Sequence, residues 1–355
     1  MYRCSDVERQ GPRYVIKFSW KEESRLSESQ IYEEIRARVT REKPMPHATP
    51  TPAAPLTASP VPSGITHAGS LDEEDDLLSY LPEVVTGAET TTSRSSIREA
   101  LGLKSHPRRL VMIVFVELDG VIKRLKGAEY WQVLWDCIRC ESDLLHALFS
   151  GLICALGHKR LWKLGIHHRD ISNGNLMYYR RNGHLFGTLI DFDLAAIKGL
   201  HSENQRRTGT RPFMALELLL GTGTLEHQYK HDAESFFWVT VYDSASQASR
   251  VDEWGNLDNT PLSEKKSLYL VAGAQMIPLD ANWPDPGPIR HWLRNMRSLL
   301  SNEGNRDKDW GVDELYNTLR SFREDGGAAL PGHIKTRQAS YVHRWKDCVN
   351  SYLVD

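Results

Sequence analysis

Between residues 167 and 193 the chain concentrates side chains that can handle phosphates and metals. His168-Arg169-Asp170 opens the run and Asn175 closes its first part, giving H-R-D-x-x-x-x-N. Residues 177–180 and 185–190 then flank Asn182-Gly183, a dipeptide suited to a type I′ turn, so the spacing predicts a short hairpin. Its second strand ends on Asp191-Phe192-Asp193. Phosphoryl transfer asks for such a set. One carboxylate must orient an attacking hydroxyl and accept its proton, and oxygen ligands must hold Mg²⁺ against the phosphates. Asp170, on a loop before the hairpin, suits the first task. Asn175 and Asp191, sixteen residues apart in sequence, suit the second if the hairpin folds them together.

Other elements must hold this loop in place. Tyr14-Val15-Ile16-Lys17-Phe18-Ser19-Trp20 is rich in β-branched and aromatic residues and reads as a strand. Ser27 can cap a helix that carries Ile31, Tyr32, Ile35 and Val39 at helical spacing. Residues 44–70 alternate Pro with Ala, Thr and Ser and have no apolar face with which to offset ordering entropy, so they read as disordered. An acidic stretch and a Ser/Thr-rich stretch extend this weak region to about residue 104. Residues 109–117 form a nearly continuous apolar run, as expected of a buried strand, and Gly120 breaks it. Helical spacing recurs over 128–139 and 141–164, and further helices are expected near 232–244, 289–300, 313–322 and 337–353.

The chain has 355 residues, enough for one large two-part domain with a sizeable core. Its net charge is −2, which gives no support for a nucleic-acid binder. No apolar run approaches the roughly 18 residues of a membrane span, and residues 1–10 have no apolar signal region. Five cysteines spread thinly suggest a reducing compartment, so an intracellular, non-secreted protein is expected. Cys137, Cys140, Cys154 and His158 have spacings a zinc site can use, but the residues between them read as an amphipathic helix, which favours buried free thiols.

His168-Arg169-Asp170, Asn175 and Asp191-Phe192 resemble the catalytic loop and metal motif of protein kinases. Residues 208–217, ending in Ala215-Leu216-Glu217, resemble the end of a kinase activation segment. The stretches 15–20, 168–175 and 232–238 resemble the fungal-type protein kinases in particular, and the likeness covers most of the chain outside residues 44–104. It implies an α+β, bilobal protein-kinase-like fold. Residues 1–126 would form a small β-rich N-lobe, interrupted by a disordered insert at about 44–104. Residues 127–355 would form a larger, mainly helical C-lobe. The resemblance also implies ATP and Mg²⁺ as cofactors and a serine or threonine hydroxyl of a protein as acceptor, with no nucleic-acid or membrane partner. In those terms Asp170 is base and orienter, Asn175 and Asp191 are Mg²⁺ ligands, Lys17 is the phosphate clamp and Glu28 its helix anchor, with Glu33 and Glu34 as rivals. Thr210 would line the substrate hydroxyl site, Glu217 would pair with a later arginine, and Asp232 would hydrogen-bond the catalytic-loop backbone. Arg169 could receive a phosphorylated residue such as Ser202 or Thr208, and Arg206-Arg207 could attract a phosphate or an acidic substrate.

The sequence departs from the wider superfamily at four places. Sixteen residues precede Lys17, with Gly11 the sole glycine, so the Gly-rich lid over the phosphates is expected to be missing or truncated. Ser172 stands where many serine/threonine kinases have lysine. Asp193 replaces the glycine of D-F-G and can offer a second carboxylate to the metal. Residues 140–154 interrupt the helix before the catalytic loop. Two alternatives therefore stay open: a pseudokinase that scaffolds partners, and a small-molecule phosphotransferase of the same fold.

Overall fold

The computed structural model describes residues 2–4, 12–23, 25–42, 81–90, 101–102, 108–138, 157–181, 183–200, 209–221, 225–284 and 286–301. Several expectations lie outside these residues. They are the Pro-rich stretch 44–70, the 140–154 interruption with Cys140 and Cys154, Ser202, Arg206, Arg207, Thr208, and the helices near 313–322 and 337–353.

The first sheet contains β1 (Tyr2–Cys4), β2 (Tyr14–Glu22), β3 (Val84–Glu89) and β4 (Arg108–Val116), in the order β1-β2-β4-β3, with every pairing antiparallel. Lys17 pairs with Ile113, so both point to one face of the sheet. On that face Val111, Ile113 and Phe115 are buried, whereas Leu110, Met112 and Val114 on the other are only partly covered. The 109–117 run is thus half-buried rather than fully buried: among the described residues, one face of this sheet packs on a helix. That helix is α1 (Glu28–Glu42), which buries Ile31, Tyr32, Ile35 and Val39. Its start is a capping box. Ser27 Oγ accepts from the Gln30 N–H (3.3 Å), and Gln30 Oε1 accepts from the Ser27 N–H (2.9 Å).

The expectation of a disordered insert at about 44–104 needs correction over Val84–Glu89, which pair along β4 as the outer strand. Most of their side chains are exposed, so burial left no alternating pattern to read; the order comes from main-chain bonds offered by β4.

A second sheet joins β5 (Gly120–Val121), β7 (Leu176–Arg181) and β8 (His184–Leu189). Arg181 pairs with His184, which leaves two residues between the strands as the sequence predicts, and Gly183 has φ +75°; Asn182 lies outside the described residues. Helix α2 (Gly127–Ile138) lies against β8. The approach is close enough that a Cβ on Gly187 would fall 2.4 Å from the Val133 carbonyl oxygen. Asp136 Oδ2 accepts the Gly187 N–H there (3.0 Å).

Helix α3 (His158–Lys163) leads to β6 (Ile166–His167), which pairs with β9 (Ala196–Ile197). The remaining helices are α4 (Leu216–Leu220), α5 (Tyr229–Ser244), α6 (Asn259–Ala272) and α7 (Pro286–Ser301). Helix α5 is buried almost all round, which explains its lack of a polar stripe; it starts at Tyr229 because Gln228 and His231 form a capping box. Among the described residues no helix is long and apolar enough to cross a membrane.

Candidate active site

Two clusters of polar side chains are linked through Ile190, the neighbour of Asp191. The first is centred on Lys17. Its ammonium lies 2.6 Å from Glu28 Oε2, 2.7 Å from Asp191 Oδ1 and 2.8 Å from Asp193 Oδ2. Burial works against the Lys17 charge, but Glu28, then Asp191 and Asp193, outweigh it and raise the pKa above the ordinary lysine value. Glu28, only 1% exposed, has its pKa raised by burial despite the pull of Lys17. Its other oxygen, Oε1, accepts from the Phe192 N–H (2.9 Å) and weakly from the Tyr32 hydroxyl (3.5 Å). The choice among Glu28, Glu33 and Glu34 therefore falls on Glu28; Glu34 pairs instead with Arg38 (2.7 Å).

Rings continue the connection. Phe115 and Tyr32 meet edge to face (5.9 Å between centroids), as do Tyr32 and Phe192 (5.2 Å) and Phe192 and His168 (4.7 Å). This run of rings extends from the first sheet through α1 to the loop that starts at His168.

The second cluster is centred on Asp170. Its Oδ1 accepts from the Thr210 N–H (2.8 Å) and the Thr210 hydroxyl (2.7 Å), and its Oδ2 from Asn175 Nδ2 (3.3 Å). Asn175 Nδ2 also donates to the Asp170 carbonyl (2.9 Å), which turns the amide so that its Oδ1 remains available as an acceptor. His168 Nδ1 accepts the Asp170 N–H (3.3 Å), so the ring proton sits on Nε2, which donates to the Ile190 carbonyl (3.0 Å). Burial lowers the His168 pKa, in keeping with a neutral ring. The Ile190 N–H donates in turn to the Asn175 carbonyl (3.0 Å). Asp170 and Asn175 are thus bonded directly, and Asp191 joins them through its neighbour Ile190.

Asp232 on α5 underlies the loop. It accepts from the Arg169 N–H (3.3 Å), His158 Nε2 (2.8 Å) and His227 Nε2 (2.8 Å). Burial opposes its charge, but His227 and His158 win and hold the pKa well below the usual carboxylate range. The predicted contact with the loop backbone is therefore present, and it steadies Arg169 in a left-handed conformation (φ 68°) that costs a non-glycine residue about 1–3 kcal/mol. Arg169 itself is buried. Glu217 departs from expectation. Its described partners are Lys230 (2.8 Å) and His231 (3.1 Å), not an arginine, because α5 brings both up beneath α4.

A cleft of about 330 Å³ opens beside the first cluster. Val15, Phe115, Met177 and Ile190 line it with apolar surface, the chain from Glu117 to Gly120 forms one edge, and Lys17, Glu28 and Asp191 form its polar end. An apolar slot with a few convergent charges suits a small planar ligand with an anionic tail. Carboxylate oxygens of Glu28, Asp191 and Asp193 lie within 4.8 Å of one another. Both hydrogen bonds of Asp191 fall on Oδ1, leaving Oδ2 for a cation. Hard oxygen donors of this kind fit Mg²⁺.

The sequence did not single out Lys21, whose ammonium lies 3.1 Å from Asp193 Oδ1, nor Tyr32 as a contact of Glu28, nor His227 as a partner of Asp232, and it offered His158 only as a zinc ligand. A strand lysine, a helix tyrosine and a lone histidine carry no spacing that points to such partners. Cys137 is a buried free thiol whose pKa burial raises well above the usual value, as expected of a core residue.

No curated protein matches the chain. Residues 136–243, which hold Asp170, Asn175, Asp191, Thr210 and Asp232, match the family model described as Fungal protein kinase.

Proposed function

We propose that this protein transfers the γ-phosphoryl group of ATP to a serine or threonine hydroxyl of a protein, with Mg²⁺. The proposal includes a bilobal arrangement, in which the first sheet and α1 belong to a smaller lobe within residues 1–126 and the helices to a larger one within 127–355. The observation that carries it is the junction at residues 190–191: the Lys17–Glu28–Asp191 cluster lines an apolar cleft and is tied to the Asp170–Asn175–Thr210 cluster by the hydrogen bond from the Ile190 N–H to the Asn175 carbonyl.

Each residue then has a task. The cleft takes the adenine beside Val15 and Met177, along the chain from Glu117 to Asp119 that lines it. Lys17, oriented by Glu28, turns from Asp191 to the phosphates. Asn175 Oδ1 and Asp191 Oδ2 would hold Mg²⁺, with Asp193 as a further carboxylate. Bound Mg²⁺ would neutralise charge on the phosphate oxygens and align the γ-phosphoryl group. Asp170 Oδ1 is already filled by two Thr210 donors, while Oδ2 has, among the described residues, only Asn175. One lone pair of Oδ2 therefore remains to accept the proton of the attacking hydroxyl.

The test is nucleotide binding read from stability. ATP with Mg²⁺ at 100 times its dissociation constant should stabilise the fold by about 2.7 kcal/mol. No shift in melting temperature at millimolar ATP with Mg²⁺ would refute the nucleotide site.

A further inference from the structure

Lys21 follows Lys17 by four residues on the same face of β2. It is buried, with its side chain 8% exposed. Long cations enter a protein interior when a partner takes their charge. Here the ammonium lies 3.1 Å from Asp193 Oδ1 and also contacts the Asp193 main-chain carbonyl. The other oxygen of Asp193, Oδ2, goes to Lys17 at 2.8 Å. One carboxylate, standing where a glycine would leave the backbone free, is thus divided between two lysines of one strand. The adjacent Asp191 is left-handed (φ 64°), a conformation that a residue with a Cβ keeps only when its surroundings hold it.

Charge balance gives the arrangement a purpose. Glu28, Asp191 and Asp193 bring three negative charges, and Lys17 and Lys21 bring two positive ones. Without Lys21, Asp193 would have Lys17 as its one lysine partner, and Lys17 would be drawn from the nucleotide.

We propose that Lys21 is a positioning residue that clamps the Asp191-Phe192-Asp193 segment to β2 through Asp193 and so frees Lys17 for the phosphates. The clamp stands on the contacts above; its benefit to Lys17 rests on the phosphotransferase reading. Hydrogen–deuterium exchange on nucleotide-free protein tests the clamp. In Lys21→Met, amides of the 191–193 segment should exchange about tenfold faster, with α5 unchanged as a control on folding. Lys21→Arg should restore slow exchange. Asp193→Asn should reproduce the acceleration, which keeps the test alive if Lys21→Met is too unstable to purify. The double variant should be no faster than Asp193→Asn alone. Wild-type exchange in Lys21→Met, or in Asp193→Asn if that variant is the one obtained, would overturn the clamp, as would full additivity in the double variant. Calorimetry with ATP and Mg²⁺ forms the second arm, where Lys21→Met should bind about tenfold more weakly. A wild type that binds no ATP would overturn the phosphate role of Lys17, while the exchange result would still decide the clamp.

Discussion

Lys17 sits among three carboxylates and is only 12% exposed, so its charge cannot be removed without leaving others stranded. Breaking a buried pair by deleting one partner generally costs 3–5 kcal/mol. Lys17→Met should destabilise the fold by roughly 3 kcal/mol, at the low end because Glu28 can take up a proton and Lys21 still faces Asp193. Urea unfolding measures this, and adding Glu28→Gln should recover part of the loss; an unchanged midpoint in Lys17→Met would contradict the charge assignment. At this scale the sequence was informative where chemistry and spacing coincide. Asp170, Asn175 and Asp191 announce themselves because few structural needs would set these types around a hairpin. Lys17 and Glu28 could be chosen only through resemblance, and the structure brings them together. Lys21 carried no signal, since its partner Asp193 lies 172 residues away. Glu217 was assigned an arginine partner because nothing in sequence shows which cations α5 lifts beneath α4.

At the scale of elements, legibility followed burial. The hairpin and its turn were readable from alternation and Asn182-Gly183, and α1 from its cap and apolar stripe. Strand β3 was not, because its order is borrowed from β4. Helix α6 supplies a link that no pattern foretold. Lys266 is fully buried, donates to the Met214 carbonyl (2.6 Å) and lies 4.5 Å from the centre of the Trp238 ring. It thereby ties α6 to the segment that carries Thr210. Burial pushes its pKa down to about 7, with Glu234 opposing. The unfolded chain, with an ordinary lysine, therefore binds more protons above that value, and stability contributed at Lys266 rises with pH from about 7 towards the ordinary lysine range. Relative to Lys266→Met, the wild type should gain on the order of 1 kcal/mol per pH unit between about pH 7 and 9. Denaturant melts at the two pH values check this; parallel profiles for the two proteins would mean that Lys266 does not titrate in this window.

For the whole molecule, the defining property is that distant segments close on one place. Lys17 and Asp191 are 174 residues apart and share a hydrogen bond, while an aromatic stack from Phe115 to His168 connects the first sheet to the 168–175 loop. Asp170 and Thr210, 40 residues apart, share another hydrogen bond. Such an assembly is costly to maintain unless it acts on something. The direct test is phosphate transfer from γ-labelled ATP with Mg²⁺, to the protein itself and to a panel of serine and threonine peptides, with Asp170→Asn and Asp191→Ala alongside. Wild-type protein should label a serine or threonine, Asp170→Asn should be slower by about 100-fold or more, and Asp191→Ala should give no transfer. Label that appears equally in all three proteins, or in none, would contradict the account.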